Sequence, residues 1–184
     1  ISGRKPRVRG ADHFREKILR AKRNGDISEQ EADLAEWLVK QNSALFDDVA
    51  LSMRTADGGT GSGNYTPLSK LITLFKGVNA NDTRTVHEVL HHTERMMPRD
   101  VALPIRMEYF RQLAKEANSA TGERREMFEA MVQSQFDGTE ASRRRAVALM
   151  KDKSDYQFMN PSEFWAERGA GILAARMKAK DSSF

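Results

Sequence analysis

Two histidines four residues apart, with a glutamate directly after the first, stand at His87-Glu88-Val89-Leu90-His91. On an α-helix that spacing puts His87 and His91 one turn apart on one face, so both imidazoles can reach one cation. Neutral imidazole suits zinc, and three protein ligands leave a fourth position for water. Glu88 lies one residue round the helix, close enough to hold a water on that metal. The chemistry this supports is metal-assisted hydrolysis, of peptides above all. The pentapeptide alone is equally the polar face of a surface helix, so its flanks decide. Asp82 offers an N-cap, Val86, Val89, Leu90, Thr93 and Met97 recur at helical spacing, and Pro98 stops the run. A helix packed into a core needs polar partners or a metal for two histidines and a glutamate.

A zinc site needs a third ligand, and the chain has no cysteine. Of the other histidines, His13 lies in a basic arm and His92 points about 100° away from His91 on the same helix. A carboxylate from a second helix is the natural candidate. The stretch Tyr156 to Glu167, YQFMNPSEFWAE, carries two. Asn160 is a good N-cap and Pro161 suits the first helical position. Glu163 then falls where a capping-box glutamate falls. That explains the helix start but not Glu163 and Glu167 stacked one turn apart beside Phe164 and Trp165.

The elements that must position these residues follow from the rest of the chain. A length of 184 residues with 39% hydrophobic and 30% charged content implies one soluble globular domain, or one with a helical extension. No apolar run approaches the roughly 18 residues of a membrane span. The start, ISGRKPRVRG, has neither Met nor an apolar stretch, so it reads as an internal piece of a longer chain rather than a signal peptide. The net charge of +4 is concentrated in a basic arm over Arg4–Arg23. A solvated face explains that arm, and contact with nucleic acid or an acidic surface is the minority reading.

Residues 1–10 read as linker. Asp12–Arg23 reads as an amphipathic helix with Phe14, Ile18 and Leu19 inward, broken at Asn24-Gly25. Ser28 to Glu31 forms a capping box opening a helix to about Phe46. A half-buried strand follows over Asp47–Thr55, then a hairpin loop over Ala56–Gly63 and a second strand over Leu71–Phe75. Pro67 suggests that this second strand lies at a sheet edge, where an extended peptide can pair beside a metal cleft. Four helices complete the chain after the histidine helix: Pro104–Asn118, Glu123–Gln135, Thr139–Lys151 and Asn160–Lys178. Met107, Phe110, Leu113 and Ala114 are expected to face the core on the first of these. The expected fold is α+β and mostly helical, with a small edge sheet beside the histidine helix. The expected division is a basic linker and helical hairpin over 1–46 and a catalytic domain over 47–184.

H-E-x-x-H followed by Tyr156 and, seven residues on, by Glu163-Phe164-Trp165-Ala166-Glu167 resembles the gluzincin metallopeptidases. It is most similar to the anthrax lethal factor-like catalytic domains. The upstream Gly63-Asn64-Tyr65 and Ile72 to Phe75 strand also looks like that group. The stretch from Thr85 to Pro98 resembles metallopeptidase modules inside large phage- or plasmid-encoded polyvalent proteins as well. The resemblance covers roughly Tyr65–Met97 and Tyr156–Leu173. It implies a zincin-like fold and a zinc endopeptidase acting on a protein substrate, as a secreted or delivered bacterial toxin or effector, or a phage module. It implies that His87, His91 and Glu163 bind Zn2+, that Glu88 is the general base, and that Tyr156 stabilises the oxyanion. Glu167 would orient a ligand histidine through its other ring nitrogen. His92 and Glu94 depart from the pattern, which has small or apolar residues there. The competing reading is a catalytically degenerate, metal-containing binding module that engages DNA or a partner through its basic arm.

Overall fold

The computed structural model describes residues 8–56, 61–76 and 81–181. Arg4, Lys5 and Arg7 of the basic arm, and the glycines at 58 and 59 of the expected hairpin loop, lie outside the described residues. The architecture is mostly helical with one three-stranded mixed sheet, in the α+β class. The chain divides into two compact units, Ile1–Thr93 with Ala170–Phe184, and Glu94–Gly169.

The first unit begins with a helical hairpin, α1 (Ala11–Arg23) and α2 (Glu29–Gln41). Phe14, Ile18 and Ala21 are the buried positions of α1, spaced as one face requires. Leu19, expected inward, is only half-buried. Ser28 caps α2, its hydroxyl accepting from the Glu31 N–H at 3.0 Å. The carboxylate half of the expected capping box does not form, because Glu31 turns to other partners described below. Helix α2 stops at Gln41, short of the expected Phe46, and a 3-10 turn over Ser43–Phe46 finishes the run.

Strands β1 (Ala50–Thr55), β2 (Gly63–Thr66) and β3 (Leu71–Lys76) form a sheet in the order β1-β3-β2. Strand β3 pairs parallel with β1 and antiparallel with β2. This corrects two expectations. The two expected strands do not form a hairpin, since β1 and β3 pair parallel, and Leu71–Phe75 is the central strand rather than an edge. Its burial agrees, since Leu71 to Leu74 are all buried, a continuous run typical of a strand covered on both faces. Pro67 lies in the 3-10 turn between β2 and β3, and β2 is the edge.

Helix α3 (Arg84–Thr93) follows. Asp82 is not its cap: its carboxylate accepts from Ser28 Oγ at 2.8 Å, and the His87 N–H closes the first turn on Thr83 O at 2.9 Å. The expected helical run to Met97 ends earlier, with a 3-10 turn over Glu94–Met96.

The second unit packs α4 (Arg99–Ser119), α5 (Gly122–Asp137), α6 (Glu140–Leu149), a 3-10 stretch over Lys153–Phe158 and the first turns of α7 (Pro161–Asp181). Its core is built from Tyr109, Leu113, Met127, Phe128, Met131, Phe158 and Phe164. On α4 the expected face is displaced. Met107 and Phe110 are exposed, and Ile105, Tyr109, Leu113 and Ala117 form the inward row at four-residue steps. Tyr109 decides that rotation, since its buried hydroxyl donates to Phe158 O at 2.9 Å. Burial also pushes its phenol pKa well above the ordinary range. No described helix is long and apolar enough to cross a membrane.

Candidate metal centre

Helix α3 presents two adjacent rows of side chains. One holds His87 and His91, both half-buried. Their Nε2 atoms are 3.0 Å apart and their rings meet edge to face at 81°. Nitrogens that close share either a proton or a cation. Tetrahedral zinc with bonds of about 2.0–2.1 Å sets two ligand nitrogens about 3.3 Å apart, so the donor pair fits zinc with a shift of a few tenths of an ångström.

The other row is Arg84, Glu88 and His92, at four-residue steps and all buried. Glu88 is pressed against β2: a Cβ placed on Gly63 would lie 3.0 Å from Glu88 Oε1 and 3.3 Å from its Cγ. Glycine at 63 therefore gives the carboxylate its room beside the strand. His92 Nδ1 is 2.9 Å from the Tyr65 hydroxyl, with the rings edge to face. Its roughly 100° offset from His91 thus turns it toward β2.

Arg84 is 5% exposed, and Glu31 of α2 faces it at 2%. The guanidinium donates to both Glu31 oxygens at 2.9 and 3.0 Å, and to Phe75 O and Ser62 O at 3.0 and 3.1 Å. Thr85 Oγ1 donates to Glu31 Oε1 at 2.6 Å. Such a pair withstands desolvation only when its remaining donors and acceptors are also satisfied. The cluster ties the hairpin, the sheet and the first turn of α3 together.

Tyr156, Glu163 and Glu167 belong to the second unit. Tyr156 sits in the 3-10 stretch, 38% exposed, and its hydroxyl makes a long 3.5 Å contact to Glu163 Oε1. Asn160 caps α7 as expected, its Oδ1 accepting from the Glu163 N–H at 2.8 Å. That fixes Glu163 at the third helical position. Glu167 is half-buried one turn later. Phe164 between them is buried, with the Arg168 guanidinium 4.7 Å over its ring.

Several cations in the described part of the basic arm are engaged within their own unit. Arg9 donates to Asp48 O and Ser69 O at 2.7 and 2.8 Å, so the expected linker is anchored by residue 9. Lys17 donates to Leu51 O at 2.5 Å, Arg15 pairs with Glu36 and Lys22 with Asp33. The Arg15 hydrogen bond, with Lys40 adding to it, holds the Glu36 carboxyl below its ordinary pKa. Three consecutive arginines stand at 143–145 on α6, and Arg143 and Arg144 reach Glu140 of the same helix.

Glu31 enters from sequence only as a capping residue, and Gly63 and Tyr65 only through the family resemblance, while nothing local singles out Arg84. The four-residue step of Arg84, Glu88 and His92 was the available signal for the polar row. No family model, curated protein or solved structure matches the chain, so the gluzincin resemblance rests on the residues that carry it.

Proposed function

We propose that the chain is a zinc-dependent endopeptidase, with His87, His91 and Glu163 as the ligands of one Zn2+. The observation that carries this reading is the His87–His91 pair, two Nε2 atoms aimed together beside a buried Glu88. When bound, zinc lowers the pKa of water to about 7 and polarises a carbonyl oxygen.

The side chains supply the rest. Glu88 takes a proton from the attacking water and delivers it to the leaving amine, so one group serves as base and then as acid. Its burial in a carboxylate-sized gap at Gly63 keeps it from wandering between those tasks. The Tyr156 hydroxyl donates to the oxyanion that develops on the substrate carbonyl. Strand β2, last in the strand order, would offer main-chain hydrogen bonds to an extended peptide, which selects for peptide without selecting much sequence. The binding-module alternative would draw on the basic arm, of which Arg9, Arg15, Lys17 and Lys22 are paired within their own unit.

The test is Glu88→Gln in the purified chain. Zinc content should stay at the wild-type level while peptide hydrolysis falls about 10²–10⁴-fold, the range for losing a general base. Hydrolysis at the wild-type rate would overturn the mechanism.

A further inference from the structure

The row Arg84, Glu88, His92 meets β2 in order. Arg84 reaches Ser62 O, Glu88 lies against Gly63, and His92 meets the Tyr65 hydroxyl. Eight residues of α-helix rise about 12 Å, and the three steps from Ser62 to Tyr65 span about 10 Å of extended chain. The helix and the strand therefore run the same way in near register, joined by polar contacts at both ends of the row. Apolar contacts tolerate a roll of the helix about its axis. Hydrogen bonds with angular preference do not.

That roll matters for the neighbouring row. A side-chain tip lies roughly 6 Å from the helix axis, so a 10° roll moves it about 1 Å. Ligand distances at a metal site are held within about 0.2 Å. From this we infer that Glu31 with Arg84, and Tyr65 with His92, are positioning residues that lock the rotation of α3 and so aim His87 and His91 at the metal. The inference rests on the zinc reading given above and adds to it the hairpin and the strand as parts of the metal centre. The hairpin is then a working component, since Glu31 on α2 supplies the charge that fixes Arg84.

The experiment uses the whole chain in three forms: wild type, Tyr65→Phe and Glu31→Gln. Each is measured for zinc affinity by chelator competition, for the visible absorption of its cobalt(II) form, and for metal-free unfolding. Tyr65→Phe removes one hydroxyl and should fold. Its zinc affinity should fall about 10-fold, the low end of the range for losing a hydrogen bond made directly to a ligand, since Tyr65 reaches the ligands only through α3. Its cobalt spectrum should change while the metal-free unfolding midpoint falls less than in Glu31→Gln. Glu31→Gln should lower both the affinity and the midpoint. If Glu31→Gln does not fold, Tyr65→Phe decides alone. Wild-type affinity and an unaltered cobalt spectrum in Tyr65→Phe would overturn the positioning role while leaving the zinc reading standing. A wild-type chain that takes up no zinc would overturn the zinc reading, and this inference with it.

Discussion

Around α3 the side chains that leave water include Glu31, Arg84, Thr85, Glu88 and His92, whereas among the described residues of the second unit the buried polar ones are Ser134 and Asp155. There the interior is Tyr109, Phe128, Phe158 and Phe164 in tilted and edge-to-face contact, filled in by Met127 and Met131. Both units have apolar cores, but the first also buries a cluster of charged and polar side chains. Aromatic and methionine packing is non-directional and holds a shape. A buried ion pair in which each guanidinium nitrogen has a partner is directional and holds an orientation, at a desolvation cost that apolar residues would avoid. The unit carrying the histidine pair adds the directional kind to an apolar core of its own, which includes Phe14, Phe46, Leu51, Ile72 and Leu74.

The largest effects come from breaking each unit by its own principle. Glu31→Ala strands the Arg84 guanidinium, and breaking a buried pair typically costs about 3–5 kcal/mol. Phe128→Ala empties a fully buried ring site and should cost a similar 3–5 kcal/mol through the cavity. Denaturant unfolding of both variants measures this, and a mild Glu31→Ala would erase the contrast. Next comes Tyr156→Phe. It should lower kcat about 10²–10³-fold, as loss of an oxyanion donor does, with the unfolding midpoint and zinc content unchanged. An unaltered kcat would leave the second unit without a catalytic group of this kind. Asn160→Ala removes the cap of α7 and should cost about 1 kcal/mol, read by thermal unfolding.

The smallest effect concerns Asp137, at the end of α5. The Ser142 hydroxyl first, and the Thr139 N–H second, lower its pKa to about 2 from an ordinary 3.8. A carboxyl depressed in the folded state stabilises above its unfolded pKa, and that contribution is lost as protons return. Wild type should therefore be more stable than Asp137→Ala at pH 5, with the gap closing as pH falls from about 4 to about 2. A gap independent of pH would mean that the carboxylate's charge contributes nothing there.

Much of this was legible in the residues, for reasons that can be named. The H-E-x-x-H helix, the Asn160-Pro161 helix start and the α5 stripe of Met127, Phe128 and Met131 each follow from local periodicity or capping chemistry. The misreadings share a cause in contacts distant along the chain. Glu31 fits a capping box by local spacing, yet Arg84, 53 residues on, claims its carboxylate. Met107 and Phe110 look like an inward pair until Tyr109 finds Phe158 O, 49 residues on. Leu71–Phe75 passed for an edge because Pro67 is nearby, while its apolar run already matched a strand covered on both faces.

The strand order β1-β3-β2 has a bearing on how the chain is made. The middle strand is the last of the three to be synthesised, so neither of its neighbours can zip into the sheet until it emerges. Until then β1 and β2 carry unsatisfied backbone edges of the kind that invites pairing with other chains. The histidine helix follows directly behind the strand that ends this exposure. The sheet and the helix it must orient are thus completed almost together, and a chain stalled or cut before residue 71 would have no central strand on which to assemble either one.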